Sequence, residues 1–127
     1  MLPINEYQKI IYNKLIETGY KVFDEVPQDE DLPVVMISDY TLSEGDTKED
    51  DYIFQQKIDV YSQYDGKKEI NEMIANVISK MKEAINVTIN EEHNIGYIKL
   101  LESEVTRLED GLYVANLVFQ INIERWM

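Results

Sequence analysis

The sequence predicts an α+β domain, a mostly antiparallel sheet of about four to five strands backed by two helices. Two observations predict it. In the middle of the chain the spacing of apolar side chains changes from every second residue to every third or fourth, and near the C-terminus two extended segments flank a turn at 109–111. A length of 127 residues suits one domain, so we expect 1–127 to form a single folded unit.

The stretch from Tyr52 to Ile85 carries the clearest pattern. Its first half alternates, with the apolar set Tyr52, Phe54, Ile58 and Val60 interrupted only by Gln56. After Asp65-Gly66 a helical stripe follows, consisting of Ile70, Met73, Ile74, Val77, Met81 and Ile85. We therefore predict a strand, a tight turn and a long amphipathic helix whose start Asp65 caps.

The N-terminal part predicts a helix over residues 5–18 that Asn5 caps and that ends near Gly19. A brief apolar segment at 20–23 precedes an acidic, proline-containing loop. A strand is then predicted from Val34 to Ile37, ending near Tyr40. The eleven residues from Thr41 to Asp51 contain almost no apolar side chains and are predicted to form a loop between two strands.

The C-terminal part predicts a hairpin around Glu109-Asp110-Gly111. Its second arm, 112–123, alternates regularly and has one clear buried face. Its first arm, Tyr97 to Leu108, alternates poorly, which indicates a bulged or exposed edge. The polar segment before it holds His93, predicted to be a surface histidine at a loop tip.

The composition excludes several classes of function. The chain has no cysteine, so disulfides, thiol nucleophiles and thiolate metal sites are absent. A formal net charge of -13 repels phosphate backbones and anionic membranes, so we expect no direct binding to nucleic acid and no membrane contact. The N-terminus shows no secretory signal pattern, and we expect a protein that is soluble and not exported.

The search for chemistry gives no catalytic, cofactor or metal site. A single histidine supports neither a nucleophile with its base nor a zinc site. The acidic runs 29–31 and 49–51 lack the ligand spacing of a calcium loop, and the glycines are too scattered to cradle a phosphate. We expect a protein that acts by binding other proteins and is not an enzyme. The spacing of residues in a sequence does not reveal whether two carboxylates meet in a cleft.

Three segments resemble the phage tail-completion family, the tail-terminator or tail-to-head joining proteins of long-tailed phages and prophages. The first is Phe23 to Asp29 with Leu32 to Val35, similar to an aromatic-Asp-x-Val-Pro loop that enters a strand. The second is Ile58 to Ser62 followed by Asp65 to Glu69, similar to the family's strand, turn and long helix. The third is Asp110 to Tyr113, which opens the final strand.

The resemblance implies a ring subunit, six per ring, that caps the tail tube in the virion after assembly in the host cytoplasm. Its partners would be copies of itself, the major tail tube protein and the head-completion (stopper) protein, with DNA passing through the ring without specific binding. The family supplies no catalytic residue and no cofactor. Two alternatives stay open: another ring of the head-tail neck, such as a stopper or adaptor, and an acidic DNA mimic that antagonises a host protein.

Two groups of residues are candidate sites under this hypothesis. Carboxylates facing a DNA channel would repel the passing polymer, and the acids predicted to line or border it are Glu44, Asp46, Glu49, Asp50 and Asp51. Aromatic side chains at the ends of elements suit protein contacts, and the candidates for subunit or partner contacts are Tyr61, Tyr64 and Trp126.

Overall fold

Two helices lie against one face of a five-stranded sheet in the computed structural model, which describes residues 2–25, 31–45, 51–64 and 66–125. The elements are α1 (Ile4–Ile16), β1 (Lys21–Phe23), β2 (Val34–Glu44), β3 (Tyr52–Ser62), α2 (Lys68–Lys82), β4 (His93–Arg107) and β5 (Tyr113–Arg125). The strand order is β1-β2-β3-β5-β4; β1 runs parallel to β2, and every other neighbouring pair is antiparallel. The predicted α+β architecture is confirmed.

The two helices cover the sheet with the faces that the apolar spacing predicts. In α2 the fully buried residues are Ile70, Met73, Val77 and Met81, and in α1 they are Tyr7, Ile11 and Leu15. One of the two predicted helix caps can be compared with the described residues. Pro3 takes the N-cap position of α1, so the prediction for Asn5 is wrong; Lys67 takes that position in α2, and Asp65 lies outside the described residues.

The C-terminal stop of α1 agrees with the prediction. Gly19 has a φ of +87°, a left-handed conformation that only glycine adopts without strain, and its N–H donates to the Ile16 carbonyl at 3.0 Å. This turn redirects the chain into β1.

Strand β2 is longer than predicted. It continues past Tyr40 to Glu44, and its second half pairs with β3 from Tyr40 opposite Gln56 to Glu44 opposite Tyr52. The polar composition suggests a loop from Thr41. The backbone N–H and C=O groups of this segment instead form ladder hydrogen bonds with β3. A register shift between Ile37 and Tyr40 marks a bulge within β2.

Strand β4 starts earlier than predicted and contains the expected irregularity. His93 is its first residue and is buried, so the prediction of a surface loop-tip histidine is wrong. The tight turn before β4 draws it inward: the Ile89 N–H donates to the His93 carbonyl at 2.9 Å, and the His93 Nδ1 lies 3.1 Å from the Asn90 Oδ1. Register shifts after Ile95 and after Leu100 confirm a bulged first arm.

The core lies between the helices and the helix-bearing face of the sheet. Every second residue of β3 from Phe54 to Ser62 is buried, and so is the whole predicted face of β5, namely Tyr113, Ala115, Leu117, Phe119, Ile121 and Ile123. The Tyr7 ring stacks on Phe54 with centroids 4.1 Å apart. This layer fixes which face of the sheet remains available for other proteins.

Candidate assembly surfaces

The predicted channel acids occupy different environments. Glu44 is exposed at the end of β2, whereas Asp51 is only 5% exposed at the start of β3; Asp46, Glu49 and Asp50 lie outside the described residues. The Gly45 N–H donates to the Asp51 carbonyl at 2.7 Å, which closes the β2–β3 connection. A Cβ on Gly45 would lie 2.8 Å from the Asp51 Cβ, so this approach requires glycine. Asp51 is therefore part of the turn packing.

The predicted aromatic contacts lie around the far end of β3. Tyr61 is half-buried, and burial together with the neighbouring Asp59 carboxylate raises the pKa of its phenol. Tyr64 follows the strand and is 50% exposed, the largest exposed fraction among the large apolar side chains of the described residues. Trp126 lies outside the described residues. An exposed tyrosine, with an apolar ring and a polar hydroxyl tip, suits a protein contact.

The face of the sheet turned away from the helices, here called the outer face, is polar and carries a shallow depression of about 350 Å³. Side chains of β3 and β5 meet there, where the Asn116 Nδ2 donates to the Asp59 Oδ1 at 2.7 Å. Four carboxylates and one lysine border the depression: Asp39, Asp59, Glu102, Glu104 and Lys57. The structure thus brings together acids that are up to 65 residues apart in sequence, which is the separation of Asp39 from Glu104.

Only one of these acids can be placed on the solvent face from the sequence. Alternation along β3 put Asp59 opposite the apolar set, but Glu102 and Glu104 follow the bulge in β4, and Asp39 sits in the bulge of β2. A bulge shifts the alternation by one residue, so the face of the residues beyond it is not readable from spacing.

A larger groove of about 620 Å³ lies between α1 and the edge formed by β1 and β2. It opens where β1 stops, because β1 pairs only as far as Phe23 opposite Met36 while β2 continues to Glu44. Its lining is mixed, with Tyr12, Val22 and Ile37 beside Gln8, Lys9 and Asp24. A mixed, open groove at a strand edge is typical of a protein contact more than of an enclosed small-molecule site.

Two lengths of strand edge carry no neighbouring strand in the described part of the chain. The first is Tyr40–Glu44 of β2, beyond the end of β1. The second is 100–107 of β4. It begins just after Ile98, whose carbonyl accepts a hydrogen bond from the Lys82 Nζ at 2.6 Å. Both edges expose apolar side chains at 36–41%, namely Tyr40, Leu42, Leu101 and Val105. Such edges invite pairing with another chain.

Neither a metal cluster nor a membrane-crossing element is found within the described ranges. No three histidine, aspartate or glutamate side chains there are grouped to hold an ion. None of the helices has the length and apolar content needed to span a bilayer.

Comparisons with known proteins agree with an assembly role. A family model described as tail completion protein gp17 matches residues 13–124. No curated protein matches. Among 27 matching chains of solved structures, one comes from a "virion of native gene transfer agent (GTA) particle". It is 16% identical, the alignment covers 92% of this chain and 93% of that one, and the TM-score is 0.67.

The structural likeness at this identity shows the fold, and the family match shows the relationship. The match over residues 13–124 includes the last turn of α1, the whole of α2 and all five strands except the final residue of β5. The chain therefore belongs to the family of tail completion protein gp17 and is a structural protein of the virion tail.

Proposed function

We propose that this protein forms a ring at the head-proximal end of the tail tube, where it ends tail growth and joins the tail to the head. The observation that carries the proposal is the family match over residues 13–124. Its partners are other copies of itself, six to a ring, together with the tail tube protein on one side and the head-completion protein on the other. Assembly takes place in the host cytoplasm before the particle is complete.

The charge distribution supports the proposal that DNA passes through this ring without being held. Carboxylates along a channel repel phosphates and so oppose binding of the polymer. We assign the channel border to Glu44, Asp46, Glu49 and Asp50 of the β2–β3 connection. Asp51 belongs to the same predicted group, but it is 5% exposed, so its substitution tests folding more than the channel. The acids of the outer face are a second surface that can face the channel.

The ring role is tested by deleting the gene from the phage or prophage and imaging the lysate by electron microscopy. The proposal predicts filled heads beside tails that are unjoined or overlong. Heads that lose their DNA, with tails of normal length, would instead assign the chain to the stopper position. Complete infectious particles would refute a role in joining altogether.

The channel assignment is tested by complementing the deletion with variants that each remove four acidic charges. The test variant combines Glu44→Gln, Asp46→Asn, Glu49→Gln and Asp50→Asn. A second variant neutralises the outer face at Asp39, Asp59, Glu102 and Glu104. The control removes four exposed charges elsewhere, at Glu6, Glu72, Glu91 and Glu109.

The expected result is that joined particles form with all three variants. We expect infectivity to fall for the β2–β3 variant, because DNA delivery is slowed, and to stay normal for the control. A loss confined to the outer-face variant would move the channel to that surface. Equal infectivity for all three would contradict a repulsive channel lined by either set.

A further inference from the structure

We propose that the free edge of β2 in one copy pairs with the free edge of β4 in the next, so that one sheet continues from subunit to subunit around the ring. The inference deepens the proposed function and depends on it, because it names the contact between copies. The partner is a second copy of this chain. Each edge presents backbone N–H and C=O groups with which another strand can pair, and one chain provides both edges.

Both edges end the same sheet on opposite sides. In the order β1-β2-β3-β5-β4, β1 pairs with three residues of β2, and within the described ranges the rest of β2 lies at the edge of the sheet; β4 is the last strand on the other side. A contact between two different patches of the same chain is heterologous, and its repetition gives a ring when the rotation closes.

Three of the exposed apolar side chains on the two edges, Tyr40, Leu42 and Val105, lie on the same face of the sheet. Tyr40 and Leu42 stand opposite the buried Gln56 and Phe54, which face the helices. Val105 stands opposite the buried Ala115 on that same face. Edge pairing therefore brings Leu42 of one copy beside the Val105 region of the next, and partly exposed apolar surface on both edges is covered.

The strand directions also agree. Each step from β2 through β3 and β5 to β4 is antiparallel, so β4 runs opposite to β2 within one chain. In a ring whose strands are tilted from the axis, the rotation keeps the direction of β2 along that axis, so β2 of the next copy meets β4 in the antiparallel sense. Antiparallel ladders form well at such edges.

The two edges are displaced along the strand direction. Through the ladder, Tyr40 is level with Leu100 and Glu44 with Ile95, whereas the free part of β4 runs from Leu100 to Arg107. Leu42 is level with Ile98, and Val105 lies six ladder positions further along β4, so pairing Leu42 with Val105 shifts each copy by six positions, roughly 20 Å along the strand. In a closed sheet such a stagger is accommodated by tilting the strands, typically by about 35–45° from the axis. In the closed ring the helices of all copies lie on one side and the outer faces on the other.

Cysteine cross-linking tests the contact, since the chain has no cysteine of its own. Leu42→Cys and Val105→Cys are made as separate proteins and as one double variant, at positions 39% and 37% exposed. They are treated with a short bifunctional maleimide, first as concentrated isolated protein and then bound to purified tail tubes. The control pairs Leu42→Cys with Glu72→Cys, which lies on the exposed side of α2.

We expect mixed dimers from the two single variants and a ladder ending in a closed ring from the double variant. The yield should exceed the control by about tenfold or more, because proximity raises the effective thiol concentration. Leu42→Lys and Val105→Lys should abolish the ring while leaving the thermal unfolding curve unchanged.

Two results would overturn the edge pairing: protein bound at tube ends with no mixed cross-link above the control, or dimers of Val105→Cys alone that outnumber mixed ones, which would indicate a two-fold contact. Binding of the protein to tube ends is scored in the same samples. Protein that binds tubes but lacks the cross-link refutes the edge pairing and leaves the ring proposal standing. Protein that binds no tubes refutes the proposed function, and the concentrated isolated sample then decides the edge pairing alone.

Discussion

Gln56 holds the bulge of β2 in place, and its replacement by methionine should cost a large share of the stability of the fold. The side chain is 1% exposed. Its Oε1 accepts a hydrogen bond from the Tyr7 hydroxyl at 3.2 Å, and its Nε2 donates to the Ser38 carbonyl at 3.1 Å and the Lys57 carbonyl at 3.0 Å. Gln56→Met keeps the length of the side chain but leaves these three groups without their partner.

The magnitude follows from the cost of unsatisfied buried groups, about 1–3 kcal/mol each. Burial also raises the pKa of the Tyr7 phenol, so its hydroxyl stays a neutral donor that needs an acceptor. Because methionine regains some apolar contact, we expect a loss of about 2–4 kcal/mol in the free energy of unfolding. For a chain of this size that corresponds to a fall in Tm of roughly 6–20 °C.

The assay is urea unfolding followed by circular dichroism, with Tyr7→Phe and the double variant as the other corners of a cycle. Tyr7→Phe should cost about 1–2 kcal/mol, and the double variant should cost less than the sum of the two, because one substitution has already broken the shared hydrogen bond. A Gln56→Met protein within about 0.5 kcal/mol of the wild type would show that Gln56 does not hold the bulge, since that is the ordinary range for inert surface changes.

Three further predictions concern packing, backbone and charge. Met73→Ala should destabilise the protein by about 2–4 kcal/mol in the same unfolding assay, because Met73 is fully buried between α2 and the sheet; a loss below about 1 kcal/mol would contradict this packing. Gly96→Ala should lower the Tm, since a Cβ there would meet the Asn122 side chain and come within 3.0 Å of Glu124, and an unchanged Tm would contradict the β4 geometry. Lys80→Ala should change stability little, because the ion pairs of Lys80 with Glu17 and Glu83 are solvent-exposed. Lys80 lowers the pKa of Glu83, so the ion pair contributes a little stability above pH 4.5, the ordinary pKa of glutamate. This contribution is lost as the pH falls through the lowered pKa of Glu83. If the wild type and Lys80→Ala lose stability identically as the pH is lowered, the ion pair makes no such contribution.

Regular spacing explains why most of the fold was predictable. The stripe of α2 and the alternation of β3 and β5 each bury one face, and apolar periodicity reports such faces directly. Gln56 was visible as an interruption, but its role was not, because its partners Tyr7 and Ser38 come from other elements. Hydrogen bonds between distant segments leave no local signal.

The errors have local physical causes. The mostly polar segment 41–44 suggests a loop, yet its backbone pairs with β3, and exposed strand residues need not be apolar. His93 read as a loop-tip residue because its neighbours are polar, but the Asn90 turn places it against the sheet. Helix caps were assigned by residue type, whereas Pro3 and Lys67 occupy the cap positions without a side-chain cap.

The candidate sites were less accessible to sequence than the fold. Of the predicted channel acids, the structure describes Glu44 and Asp51 and buries the second. The acids of the outer face and the two free edges arise from register and strand order, which single-sequence patterns do not encode across bulges. The position of Tyr64 just after a strand predicts an exposed side chain, and the structure exposes it. Its contact with a partner stays a prediction.

The most direct test of the ring is to mix the purified protein with tail tubes from a deletion mutant and to image the tube ends by cryo-electron microscopy. We expect an added six-fold annulus at one end only, with the sheets of neighbouring copies continuous, and tubes that no longer lengthen when more tube protein is supplied. Bare ends that keep growing in the presence of excess folded protein would contradict this expectation.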